Sequence, residues 1–177
     1  MSSLLILGLG NVLCADDGVG VAATVALLRR YQPARGVRVL DGGTLGLSLL
    51  PELARADAAI LVDAIRADGP PGTLVRLEQE DVARAAISRL SVHQVSVADL
   101  LDGASLLGRC PPRLVLCGVV PESMELRLGL SPSVAAALPA LIESVLREAA
   151  ALGKPFRERR RKQNVSVDDD IHRLLGL

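Results

Sequence analysis

Aromatic side chains are almost missing: the 177-residue chain has one Tyr (Tyr31), one Phe (Phe156) and no Trp. That excludes a single-strand nucleic-acid platform built from stacked rings. Net charge is missing as well, with 20 Lys and Arg against 20 Asp and Glu. A general nucleic-acid binder, with its broad basic surface, is excluded by that balance. Cysteine is scarce. Cys14, Cys110 and Cys117 form an odd set without a CxxC pair, which fits a reducing cytoplasm and neither a disulfide framework nor a zinc knuckle. No apolar run is long and continuous enough to span a bilayer. The opening MSSLLILGLGN has no basic leader and is broken by Gly8 and Gly10, so it reads as a buried strand and not a signal peptide.

Half of the residues are hydrophobic and 23% are charged. This composition predicts one folded domain whose core is filled by Leu, Val, Ile and Ala. The all-apolar run Leu4–Leu7 reads as a strand buried on both faces, and Val37–Leu40, Ala58–Val62 and Arg113–Cys117 read as further strands. Thr73–Leu77 reads as a weaker edge strand. Between them lie helical stretches at Val19–Arg30, with Val21, Val25 and Leu28 on one face, at Leu45–Ala54, and at about Ser96–Leu107. The last core helix ends near Ala151, with Ser131 as N-cap, Pro132 at the first helical position and Leu138, Leu141, Ile142 and Val145 in one stripe. Strands separated by helices predict a three-layer α/β/α fold around a mostly parallel five-stranded sheet, with one strand allowed to run antiparallel. The domain is expected over residues 1–153. Residues 154–177, with Arg157–Lys162 basic and Asp168–Asp170 acidic, are expected to form a charged, solvated C-terminal tail.

Ligands of an open α/β sheet bind outside the carboxyl ends of its strands. Three such ends carry acids here: Asp16 and Asp17 after the first strand, Asp41 at the second, and Asp63 just past the third. Acids gathered at one end of a sheet repel unless a cation, a ligand amine or a shared proton lies between them. His93 is the one histidine outside the charged tail, where His172 sits. Imidazole with carboxylate oxygens suits a first-row ion such as Zn, Ni or Fe. The glycine loop GLGN is not a dinucleotide fingerprint. The third glycine of GxGxxG would fall on Leu13, and Asp16 and Asp17 would repel a pyrophosphate. HExxH and GxSxG are both absent.

Five segments in order carry a family resemblance: LLILGLGNVLCADDGVGVAATVALL, DGGTLGLSLL, ADAAILVDAI, LSVHQVSVADLL and LCGVVPESMELRLGLSPSV. Together they resemble the [NiFe]-hydrogenase maturation endopeptidases over residues 4 to about 150. The resemblance implies a peptidase that removes the C-terminal extension of a [NiFe]-hydrogenase large-subunit precursor. It implies that Asp17, Asp63 and His93 contact the nickel that the precursor already carries, so nickel is expected as a transient ion contributed by the substrate. Many members have Glu where this chain has Asp17. Asp41, Gly42, Gly43 and Thr44 are expected to shape the cleft rim, where glycine lets a substrate backbone approach. Asp16 is expected to cap the following helix. A cytoplasmic monomer with no nucleic-acid or membrane partner completes this reading. Two alternatives stand beside it: a non-catalytic nickel-binding metallochaperone using the same ligands and, more distantly, a peptidyl-tRNA hydrolase, whose opening GLGN is similar. The pattern leaves two routes to hydrolysis open, metal-polarised water or an aspartate general base.

Overall fold

The computed structural model describes residues 3–87 and 97–159. The main sheet is built from β1 (Leu4–Leu9), β3 (Val37–Gly43), β4 (Ala58–Ala64), β5 (Leu74–Glu78) and β6 (Arg113–Val119), in the order β3-β1-β4-β6-β5. The β1 pairs with β3 and β4 and the β4–β6 pair are parallel, and β5 runs antiparallel to β6. The three-layer fold with one antiparallel strand is the one expected.

Alternation along the strands divides the core in two. Leu4 and Ile6 of β1 point to one face, where they meet α1 (Val19–Arg30) and α5 (Pro132–Ala151) through Val19, Leu27 and Leu141. Leu5 and Leu7 point to the other, against Leu53 of α2 (Leu50–Leu53), Val82 of α3 (Glu80–Ile87) and Leu100 of α4 (Val97–Leu106). This is why the central strands β1 and β4 are buried along their whole length: each has to feed two cores. None of the described helices is long and apolar enough to cross a membrane.

The connections leave β1 and β4 on opposite faces. From β1 the chain crosses through α1 to β3, and from β4 it crosses through α3 and α4 to β6. The sheet therefore has its topological switch point between β1 and β4, the place where open α/β sheets bind their ligands.

Two close approaches fix α1 on the sheet. A Cβ on Gly20 would lie 2.1 Å from the Val62 carbonyl oxygen and 2.4 Å from that of Leu9. A Cβ on Gly8 would lie 2.3 Å from the Gly20 carbonyl oxygen. Backbone meets backbone here, and only glycine fits. The same closeness corrects the expected helix face. Val19, Ala23 and Leu27 enter the core with α5; of the expected face Val21 is buried, Val25 is half-buried and Leu28 is 37% exposed. A stripe chosen by side-chain size pointed away from the small residues that such tight packing requires.

Other elements depart from the sequence reading. The helix expected at 45–54 is a 3₁₀ turn (Gly46–Leu49) followed by the single turn of α2, because Gly46 adopts a positive φ and Pro51 falls in the first turn of α2. The helix α3 was not expected. Beyond Gly153 the chain returns to the body: β7 (Arg157–Glu158) pairs antiparallel with β2 (Tyr31–Gln32), and Phe156 packs on the α1–α5 core. The Arg159 side chain donates to the Leu28 and Tyr31 carbonyls. Residues 160–177 lie outside the described residues.

Replacing Gly20 with Ala forces this backbone contact apart and lowers stability by about 2–3 kcal/mol. Val25→Ala, at a half-buried position, costs about 1 kcal/mol or less. Urea unfolding midpoints of the two variants check the difference.

Candidate functional site

The loop after β1 is folded around one carboxylate. Gly10 has φ +112°, and a Cβ there would lie 1.7 Å from the Asp17 carbonyl oxygen. The Asn11 amide donates to Asp17 Oδ2 at 2.8 Å, and the Leu13 amide donates to Asn11 Oδ1 at 3.0 Å. The Asp17 amide closes the turn on the Cys14 carbonyl. GLGN is therefore a cradle for an aspartate, which is its physical alternative to a phosphate loop. Asp17 is 7% exposed and stands in the 3₁₀ turn Ala15–Gly18, which packs on β4.

Asp63 is fully buried, and its Oδ1 accepts the amide of Ala64 at 2.8 Å. It lies inside β4 and not past its end, opposite Gly118 of β6. A Cβ on Gly118 would fall 2.3 Å from Cδ1 of Ile65, so the strand beside Asp63 also depends on a missing side chain. Asp17 and Asp63 thus sit on either side of the switch point, at the carboxyl ends of neighbouring parallel strands. His93 lies outside the described residues. Among the described residues no group of three His, Cys, Asp or Glu side chains forms a metal-binding cluster.

Asp41 is also within its strand, facing Gly8 in register. A Cβ on Gly42 would meet Leu7 Cδ1 at 2.8 Å and press on the Gly8 carbonyl oxygen at 3.1 Å. Gly43 accepts the Gly10 amide, which ties the DGGT segment to the cradle, and Thr44 is exposed. Although Asp41 is an exposed residue, desolvation of its carboxyl holds it above the ordinary carboxylate value, opposed by a hydrogen bond from the Gly43 amide. Five exposed apolar residues follow the same strand ends: Leu13 after β1, Leu45 and Leu47 after β3, and Met124 and Leu126 after β6.

Asp16 does not cap α1. It is fully buried and accepts three amides from the segment after β6: Glu122 and Ser123 on Oδ2, at 2.8 and 2.9 Å, and Ser131 on Oδ1 at 2.7 Å. Backbone bonds from Ala15 to Arg127 and from Arg127 to Leu13 run beside it. One carboxylate thereby locks two loops of the site together, a role that adjacency to Asp17 concealed in the sequence. Ser131 joins the lock through its amide and also caps α5 through its side chain, accepting from Val134. Cys14 is half-buried beside Arg127, Cys110 is exposed, and burial pushes the Cys117 thiol up to about 11.

An α/β/α domain with buried acids at the switch point of a parallel sheet has the layout of an α/β enzyme. Comparison with known proteins narrows the class. A family model described as HycI, hydrogenase maturation protease, matches residues 21–148. The hydrogenase 2 maturation protease of Escherichia coli K12 is 40% identical over 144 residues, covering 81% of this chain and 88% of that protein. The hydrogenase expression/formation protein HupD of Rhodobacter capsulatus is 38% identical over 172 residues, covering 96% and 82%. The solved structure of the hydrogenase maturating endopeptidase HybD from E. coli superposes with a TM-score of 0.84 at 37% identity, covering 89% of this chain and 98% of that one. The chain belongs to the hydrogenase maturation protease family, and its chemistry is peptide-bond hydrolysis. That membership sets aside the metallochaperone and peptidyl-tRNA hydrolase readings.

Asp16→Ala strands three amides and lowers stability by about 3 kcal/mol or more, with faster hydrogen exchange at the Ser131 amide. Asp41 generates a pH-dependent effect of the opposite sense. Its native value lies above its ordinary 3.8, so stability falls as pH rises from the ordinary value through the native one. Asp41→Asn is therefore more stable than the wild type near about pH 7 and indistinguishable from it near about pH 3.5, as read from urea midpoints at both.

Proposed function

We propose that this protease removes the C-terminal extension from the precursor of a [NiFe]-hydrogenase large subunit once that precursor holds nickel, with Asp17, Asp63 and His93 contacting the substrate's ion. The observation that carries the reading is the pair of buried aspartates flanking the switch point in a chain of this family. Two carboxylates and an imidazole are a donor set suited to a first-row divalent ion. Because the ion belongs to the substrate, it reports that metal insertion is complete.

The physical logic is a coincidence test. Two carboxylates at neighbouring strand ends repel each other when no cation lies between them. An apo precursor leaves that repulsion in place and gains little. A loaded precursor relieves it and adds ligand bonds, so the scissile segment settles only when the ion is present. The protein's own contribution is placement. The GLGN cradle fixes Asp17 through Gly10 and Asn11, and β4 fixes Asp63 through the Ala64 amide. A carboxylate so held can accept a proton from the attacking water, and bound nickel would polarise that water or the scissile carbonyl. DGGT lies against the cradle through the Gly10–Gly43 bond and offers a low rim for the peptide.

Asp63→Asn, Asp17→Asn and His93→Ala each lower the rate of shortening of nickel-loaded precursor by about 100-fold or more, read by mass spectrometry of the precursor. Wild-type enzyme leaves apo precursor intact. Unimpaired cleavage by both Asp63→Asn and His93→Ala removes the ligand assignment.

A further inference from the structure

The main sheet ends on β5 at one side and on β3 at the other. An end strand presents unpaired amides and carbonyls, and proteins blunt such edges with charge, cover or twist. β5 is blunted. Its Arg76 is ion-paired with Glu78 on the strand and with Glu148 of α5, so charge and a helix guard that side. β3 carries a single basic residue, Arg38, and its side chain is turned onto Glu52 of α2. It is not left to stand off an incoming chain.

The ladder fixes which groups of β3 point outward. The Leu4 amide donates to the Gly36 carbonyl, and Leu4, Ile6 and Gly8 lie opposite Val37, Val39 and Asp41. In a parallel ladder, the residue lying opposite the bonded one directs both its polar groups to the far side. Val39 and Asp41 therefore aim N–H and C=O outward, where no strand pairs with them among the described residues. The row runs directly into the site. The β1–β3 register shifts after Gly8, and the next bond is from the Gly10 amide to the Gly43 carbonyl at the Asp17 cradle. From Val39 to Gly43 is about 13 Å of strand, and exposed Leu45 (58%) and Leu47 (47%) follow.

We propose that the outer edge of β3 holds the extended C-terminal segment of the precursor by strand addition, with Val39 and Asp41 giving the main-chain hydrogen bonds and Leu45 and Leu47 the apolar contacts. This rests on the processing reading above and adds how the segment is delivered. The occupant follows from continuity: the edge ends in the same loop pair that positions the acid, so a peptide lying along it is carried to that acid. Main-chain pairing supplies affinity with little dependence on sequence, and side-chain contacts supply selectivity.

The test is amide hydrogen exchange on the full-length protein, free and with nickel-loaded precursor, together with cleavage kinetics. The Val39 and Asp41 amides exchange quickly in the free protein and slow by about tenfold or more with precursor bound. Val39→Pro removes one outward donor from an edge strand, where proline is tolerated. It lowers kcat/KM for the precursor by about tenfold. If Val39→Pro does not fold, the exchange measurement on the wild type decides. Unchanged exchange at both amides in the cleaving complex overturns the proposal, as does a folded Val39→Pro that cleaves like the wild type. Protection that appears in the protein alone as its concentration rises assigns the edge to a second copy and also overturns it. A wild type that leaves the loaded precursor uncut overturns the processing reading first, and this inference with it.

Discussion

Gly20 brings the first turn of α1 against the carbonyls of Leu9 and Val62, closer than any side chain permits. β1 and β4 are thereby held under one helix start, and the 3₁₀ turn that precedes the helix is pressed onto the end of β4. Asp17 owes its position to that contact. Had α1 stood off by the thickness of a methyl group, the turn would rise with it, and the acid at the end of β1 would lose its register with the acid in β4. A functional site is only as exact as the packing of its supports. Here the support is a backbone contact, with no rotamers to relax.

Adjacent residues in this turn do opposite work. Asp16 faces inward and satisfies three amides of the segment after β6. Asp17 takes one amide of the GLGN loop. A buried carboxylate with three backbone donors is held in one orientation. The segment it captures carries Met124 and Leu126, both exposed, so the apolar rim and the acid are set by one short stretch of chain. These exposed apolar residues and the acid can therefore keep their spacing even if the surrounding surface varies.

Much of this was legible because local rules and global fold agree. Apolar runs gave the parallel strands, Ser131-Pro132 gave the start of α5, and glycine and acid at successive strand ends marked the functional end of the sheet. What was hidden depended on contacts far apart in the chain. Asp16 sits where a helix cap would sit, and only the approach of residues 122–131, more than a hundred positions later, gives its carboxylate another task. The α1 stripe was misread because periodicity weighs large side chains, whereas Gly8 and Gly20 make closeness the deciding term. Asp41 and Asp63 looked like loop residues because an acid inside a parallel strand contradicts the usual apolar run, and such contradictions gather at sites. His93 was legible as chemistry, yet it falls outside the described residues.

The short pairing of β7 with β2 has a consequence for how the enzyme can be joined to other things. α1 begins beside the acids and runs down the sheet, so Tyr31, where β2 starts, lies at the opposite pole. The Arg157–Glu158 strap is fastened there. An open cavity of about 250 Å³ at that pole is lined by both Ser3 and Lys154. Both described ends of the body therefore emerge on the side turned away from catalysis. A label on Ser3 or Lys154 would therefore report on that pole without touching the acids.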